Sequence, residues 1–269
     1  MQLKQKLPRP IKSVVRPIFH YLYRTAIRSQ CWYLDRTNTD DYVVGLPVPP
    51  AILRFRVGET ASVESFFAVG KNTARNIQAA LEHIGNPLEN FNSILDFGCG
   101  CGRTLMWLAK SFPGKQFYGT DVDESSVRWC RTHLRSTTCT VNNPLPPTIH
   151  QGADFDLVYS VSVFTHLNEE HQLRWLSELH RLIKPGGLLL LSVHGKHSWQ
   201  GLTQDDLQSL EERGYLFKTS SKLHGILPDW YHTAYHSQEH VLQTVSLKFK
   251  VLAYMEAGLG YQDLIILER

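Results

Sequence analysis

Residues 94–103 read Ile-Leu-Asp-Phe-Gly-Cys-Gly-Cys-Gly-Arg, an apolar strand that runs into three alternating glycines and then into a helical pattern. Such a loop lets a ligand approach the backbone closely, and the helix that follows offers free N–H groups to negative charge. A tight strand-to-helix turn with no ligand is the plainer alternative, because a glycine-rich loop taken alone is a weak signal. The spacing is D-x-G-x-G-x-G. It differs from the dinucleotide fingerprint G-x-G-x-x-G in that the third glycine comes one place early and Arg103 follows it. A second acid, Asp121, closes the next apolar run 19 residues after Gly102. A carboxylate there can accept hydrogen bonds from both hydroxyls of a ribose, and it would repel a 2′-phosphate, which argues against NADP.

Around this loop, from about residue 90 to 195, short apolar runs alternate with longer amphipathic ones, as in the strand and crossover-helix units of a parallel sheet. Strands are predicted at Ser93–Phe97, Gln116–Asp121, Cys139–Val141, Phe155–Ser160 and Gly187–Val193. Helices are predicted at Arg103–Ser111, Glu124–Leu134 and Asn168–Ile183. Asn168 is a suitable N-cap, and Lys184, Pro185, Gly186 and Gly187 are expected to close the last of these helices. Upstream, Asn72–Ile84 places Ile77, Leu81 and Ile84 on one face of a helix. Downstream, Thr203 should cap Gln204–Arg213, and Ser237 a further short helix. Leu247–Tyr254 and Tyr261–Leu267 then form two apolar runs that should end the chain as an antiparallel pair at the sheet edge. The Pro-rich stretch Leu46–Pro50 divides the chain into an N-terminal extension (residues 1–50) and a main domain (residues 51–269).

At this point the sequence resembles the class I S-adenosylmethionine-dependent methyltransferases, and looks like their bacterial small-molecule branch. The resemblance covers roughly residues 65–269 and rests on ILDFGCGCGR (94–103), YGTDVD (118–123), FDLVYSVSVFTHL (155–167) and LIKPGGLLLLSVHG (182–195), in that order. It implies a Rossmann-like, doubly wound α/β fold with a seven-stranded sheet, mostly parallel with an antiparallel last strand. It implies S-adenosyl-L-methionine as the cofactor, with Asp96, Gly98, Gly100 and Gly102 around its methionine part, Asp121 on its ribose and Val122 against adenine. Where many members have an Asp after the third strand for the adenine amino group, this chain has Asn142 and Asn143, and an Asn oxygen can accept the same bond.

Ligands of doubly wound sheets bind beyond the carboxyl ends of the strands, which puts Ser160 to His166, and His194, at the mouth of the cleft. Methyl transfer from a sulfonium is an in-line displacement, so alignment and exclusion of water are the main tasks, and a base is needed only if the nucleophile starts protonated. His166 and His194 are the candidate bases, and each has an alternative role as a histidine that shapes its loop. Tyr235 and His236 are expected to line the substrate pocket. His232, His236 and His240 recur every four residues, but the Ser237 cap places the first two ahead of the helix, so no metal site is expected. Arg54, Arg56 and Gly58 lie in the region that folds over the cofactor in such enzymes, with a solvated basic segment as the default for them. After the fourth strand, Ser160-Val161-Ser162-Val163 stands where amino-group methylation of nucleic acid or protein amides would show an Asn/Asp-Pro-Pro-aromatic motif, so oxygen is the expected acceptor atom. A nicotinamide-dependent oxidoreductase and a non-catalytic nucleotide-binding protein are the competing readings.

Charge is unevenly spread. The 28 Lys plus Arg against 25 Asp plus Glu leave a net +3, yet residues 1–34 carry seven basic side chains and no acidic one. The body is therefore mildly acidic, which disfavours a nucleic-acid substrate, and the resemblance implies a small-molecule, metabolite, glycan or lipid-linked acceptor. In the cationic head, Ile11, Val15, Ile18, Phe19, Leu22 and Ala26 follow helical spacing. Such a helix can dock its apolar face on the enzyme or a twin subunit, or lie on a membrane surface, and Pro17 is expected to break or start it. Five cysteines, with Cys99 and Cys101 one residue apart, suit neither a disulfide framework nor a CxxC zinc knuckle. The expected location is cytoplasmic, with peripheral contact at the inner face of a membrane as an option.

Overall fold

The computed structural model describes residues 9–38, 40–220, 223–227 and 231–269, and only the backbone for residues 9–16. Lys4 and Lys6 of the cationic head lie outside the described residues. Helix α1 (Arg9–Thr37) runs straight through Pro17, which corrects the expected break. Proline removes one backbone donor from a helix, but here Ile27 and Cys31 downstream are buried against the body, and that packing holds the element. A two-residue hairpin follows, strands β1 (Tyr42–Val43) and β2 (Leu46–Pro47), and then helix α2 (Ala51–Gly58). Helix α3 (Val63–His83) begins nine residues before the predicted Asn72, capped by the Ser62 hydroxyl accepting from Ser65 N at 3.1 Å. Gly70 lies inside this helix and is buried. In the fold it is a close approach, since a Cβ there would lie 2.2 Å from the Arg103 carbonyl oxygen.

The main sheet is built from β3 (Ser93–Phe97), β4 (Gln116–Asp121), β5 (Thr137–Val141), β6 (Phe155–Ser160), β7 (Ile183–Val193), β10 (Lys250–Met255) and β11 (Asp263–Glu268). Its order is β10-β11-β7-β6-β3-β4-β5, with β11 antiparallel to both of its neighbours and the other pairs parallel. The last strand thus threads back between β10 and β7, as the two apolar C-terminal runs anticipate. The crossovers are α4 (Leu105–Ser111), α5 (Glu124–His133) and α6 (Glu169–Leu182). Lys184 to Gly187 do not close α6. That helix stops at Leu182, and Ile183 already pairs with Phe155 before a register shift brings Leu188 opposite Leu157. Asn168 caps α6 as expected, its Oδ1 accepting from His171 N at 2.8 Å.

The run Leu188–Leu191 sends alternate side chains to the two faces: Leu188 and Leu190 pack with α3, α4 and α5, and Leu189 and Leu191 with α6 and α8 (Gln238–Val245). Helix α7 (Gln204–Arg213) has the Thr203 cap and a reciprocal Asp206 bond. An antiparallel hairpin that the sequence does not announce, β8 (Tyr215–Lys218) with β9 (Thr233–His236), stands over the carboxyl ends of the central strands. Helix α1 packs through Ile27 and Cys31 on Ala51 and Phe55 of α2 and on Ile226.

Candidate active site

The sheet changes winding direction at β3, which lies between β6 and β4, and at this point a cavity of about 530 Å³ opens beyond the strand ends. One half of it is backbone. Gly98 N and Cys99 N donate to the Thr120 carbonyl at 2.8 and 3.1 Å, which pins the glycine loop to β4. Gly98 and Gly100 line the cavity with φ of +83° and +50°, a region that favours glycine. A Cβ at Gly98 would come 2.1 Å from Val163 Cγ2, and one at Gly100 2.4 Å from Val57 Cγ1. The loop is therefore closed from both sides, by the segment after β6 and by α2. Gly102 does not line the cavity. It accommodates Leu134 and Cys130, at 2.5 and 3.4 Å from where its Cβ would be, so its role is packing.

Asp121 Oδ2 accepts from Gly100 N at 2.7 Å, and Oδ1 accepts from Asp123 N at 2.8 Å. The carboxylate is held at the cavity wall with a further lone pair on each oxygen, a match for two vicinal hydroxyls. Burial raises its pKa, and the backbone donors of Asp123 and Gly100 oppose that rise. Asp96 also lines the cavity. Burial drives its carboxyl well above the usual carboxylate range, while the nearby Tyr159 hydroxyl pulls it down. Val122 and Asn142 line the wall next to Asp121. Asn142 Oδ1 accepts from Thr120 Oγ1 at 2.9 Å, and its amide donates to the Asn143 carbonyl at 2.8 Å. Asn143 itself is exposed and off the cavity, so of the two asparagines the fold brings only Asn142 to the site.

The other half is made of side chains from distant segments. His166 sits on the single turn after β6 and lines the cavity. Its Nδ1 lies 2.6 Å from the His232 carbonyl, so that nitrogen carries the proton and Nε2 keeps a free lone pair. The ring stacks on Tyr231 with centroids 3.7 Å apart, and burial pushes its pKa down to about 4. His194 makes the analogous bond from Nδ1 to the Ala234 carbonyl at 3.1 Å, but it is not among the cavity-lining residues and reaches His166 only edge-on, at 6.4 Å between centroids.

Three further sequence expectations are corrected. Tyr235 and His236 do not line the cavity. They are on β9, and His236 is 1% exposed, facing the Gln172 amide at 2.9 Å. Both sit on the strand itself, and Tyr231 and His232, in the stretch that leads into β9, line the cavity instead. Ser160 is fully buried and off the cavity, and Ser162 takes its place with φ +60°, its N–H donating to Ser192 Oγ at 2.8 Å. The segment before the domain is not a solvated basic stretch. Arg54 is 2% exposed and donates to the Ala61 and Pro49 carbonyls. Arg56 lines the cavity and grips both carboxylate oxygens of Asp123 at 2.9 and 3.1 Å. Asp123 in turn caps α5 through Ser125 N, so α2 is tied to the rim of the site. Local sequence reading misses Val57 and Tyr231, and it names Arg56 and His232 without giving either a role in the cavity, because these residues come from opposite ends of the chain.

Residues 95–189 match the family model described as a methyltransferase domain. The chain is 25% identical over 163 residues to the malonyl-[acyl-carrier protein] O-methyltransferase of Bacillus cereus, a match covering 61% of this chain and 60% of that protein, so it spans less than two thirds of that relative's length. Among solved structures, the fold is like that of the 1,6-didemethyltoxoflavin-N1-methyltransferase of Burkholderia thailandensis, crystallised with 1,6-didemethyltoxoflavin and S-adenosylhomocysteine (TM-score 0.55, 15% identity, 81% of this chain and 88% of that one). It is also like that of the glycopeptide N-methyltransferase MtfA in complex with S-adenosylmethionine (TM-score 0.54, 14% identity, 74% and 93%). The match to the methyltransferase-domain family covers residues 95–189, about a third of the chain, and the fold is shared with enzymes solved in complex with S-adenosylhomocysteine or S-adenosylmethionine. The cavity fits that group. It offers a glycine cradle, a carboxylate with free lone pairs for a ribose, and a volume suited to a nucleoside-sized ligand.

Proposed function

We propose that this enzyme transfers a methyl group from S-adenosylmethionine to a hydroxyl of a small-molecule, glycan or lipid-linked acceptor, with His166 as the residue that takes the proton. The carrying observation is the fixed tautomer of His166, whose Nδ1 faces the His232 carbonyl and whose Nε2 is left as an acceptor at the cavity wall. Asp121 holds the ribose hydroxyls, Val122 and Asn142 take the adenine side, and Gly98 and Gly100 with Asp96 surround the methionine end. Bound S-adenosylmethionine supplies an electrophilic methyl on a sulfonium. The chain's own part is to align the acceptor, to keep water out with Val57, Leu227 and Tyr231, and to accept the acceptor's proton at His166 Nε2. Because the His166 pKa is about 4, the ring is neutral at physiological pH and ready to accept that proton.

His194 is the second histidine of this reading and supports the site from behind. The five cysteines are free and buried, which suits the reducing cytoplasm. Among the described residues no helix is long and apolar enough to cross a membrane. In this reading residues 1–50 are an extension to a methyltransferase domain of residues 51–269. A lipid-linked acceptor would place the enzyme at the inner face of a membrane. The deciding experiment offers purified enzyme and labelled S-adenosylmethionine to panels of hydroxyl and amine acceptors. Label on oxygen supports the reading, and label confined to nitrogen overturns it.

A further inference from the structure

Helix α1 is 29 residues long, which at 1.5 Å per residue makes a rod of about 44 Å. One face is in use. Ile27 and Cys31 are buried on α2 and Ile226, Arg24 and Arg28 donate to the His224 and Gly225 carbonyls at 2.8 and 2.7 Å, and Asp35 accepts from Ala51 N at 2.7 Å. A second face, roughly a third of a turn round the helix, follows helical spacing too. Ile18, Tyr21, Leu22, Trp32 and Tyr33 stand 56 to 63% exposed, and the Arg36 guanidinium sits 4.3 Å over the Trp32 ring. A helix with one apolar stripe docked on its own protein has no folding reason to carry a second stripe of Ile, Leu, Tyr and Trp toward water.

We propose that this outward face of α1 binds an anionic membrane surface. Charge selects the occupant. The first 34 residues carry seven basic side chains and no acid, and Arg24 and Arg28 donate to carbonyls rather than to carboxylates. A second copy docked through the same face would bring two such cationic segments together, whereas anionic headgroups neutralise them. Trp and Tyr rings with an apolar body and a polar tip match the depth at which an interfacial helix rests. Since α1 packs on α2, whose Arg56 and Val57 line the cavity, a bound α1 holds the active site beside the lipid surface. The binding does not depend on which acceptor is methylated.

The test is flotation of the full chain with vesicles of phosphatidylcholine alone and of phosphatidylcholine with phosphatidylglycerol in equal parts. The expected result is flotation with the anionic vesicles at least tenfold above that with the neutral ones, reduced by added salt. A Leu22→Ser, Trp32→Ser double variant should lose at least tenfold in vesicle binding while thermal unfolding and S-adenosylmethionine affinity stay as in the parent. Tyr33→Ser alone repeats the test with less risk to folding, and Lys4→Gln with Lys6→Gln isolates the charge. Equal flotation with both vesicle types, or none with either, overturns the proposal. So does a dimer in solution that the double variant dissociates, since the face then belongs to a second copy.

Discussion

The two halves of the cleft are built on different principles. The half proposed for the cofactor comes from two short, contiguous segments, 96–104 and 121–126, and is held by main-chain N–H groups, Gly98 donating to the Thr120 carbonyl and Gly100 to the Asp121 carboxylate. The acceptor half collects side chains from α2, the turn after β6 and the stretch leading into β9, and is held by ring stacking and by histidine-to-carbonyl bonds. Backbone contacts survive most substitutions, so the first half tolerates change except at its glycines and its acid. The second half depends on which side chains the chain brings together, and so it can be re-specified without disturbing the first.

The strongest test of that contrast is Gly100→Val. The substituted residue must adopt φ near +50° and place its Cβ 2.4 Å from Val57 Cγ1, so we expect cofactor affinity to fall by more than about a hundredfold with circular dichroism unchanged. Calorimetry that returns parental affinity would show that the loop is only a turn. In the other half, His166→Ala should lower kcat by about a hundredfold with cofactor affinity intact, as loss of a positioned base does. His194→Ala, off the cavity, should change kcat far less, and a larger loss for His194 than for His166 would reverse the assignment.

Asp121→Ala removes the acceptor of two backbone donors and of the ribose, and should weaken S-adenosylmethionine by about 2 kcal/mol, or about thirtyfold. Titration calorimetry on both proteins measures this, and equal affinities would remove the ribose from its place.

Acid lowers stability through a histidine that lies off the cavity. His236 is buried and neutral, with a pKa pushed down to about 3, whereas the unfolded chain takes up that proton near the ordinary histidine value. The unfolded state therefore binds more protons below about pH 6.5, and the stability contributed by the buried neutral ring is fully present above that value and lost as pH falls. Between pH 7 and 5 this costs on the order of 2 kcal/mol, visible in urea unfolding, and His236→Gln should flatten the slope. His166 titrates near 4, so kcat should stay level from pH 8 to 6; a fall centred at 6.5 would mean an ordinary histidine is the base. The smallest expected effect is at the strap between the halves. Arg56→Ala breaks a partly exposed pair with Asp123, worth about 1 kcal/mol or less, and should raise the cofactor Kd by up to about fivefold.

Much of this was legible in the sequence, because it depends on residues close together along the chain. The bounds of β3, β4 and β6, the caps Asn168, Thr203 and Ser237, the glycine loop and the place of Asp121 all follow from period, spacing and local hydrogen bonding. What only the tertiary structure decided is set by contacts between distant residues. Gly70 is a close approach to the Arg103 carbonyl, and Gly102 a seat for Leu134 rather than a cavity-lining residue. Ser160 gave way to Ser162, and Tyr235 and His236 to Tyr231 and His232. His166 and His194 make the same kind of bond, to the His232 and Ala234 carbonyls, and only the fold determines which ring opens on the cavity. The physical reason is that the cavity lies beyond the strand ends, where the place of a side chain is set by how segments from distant parts of the chain pack together, and residue types along the chain do not specify that packing.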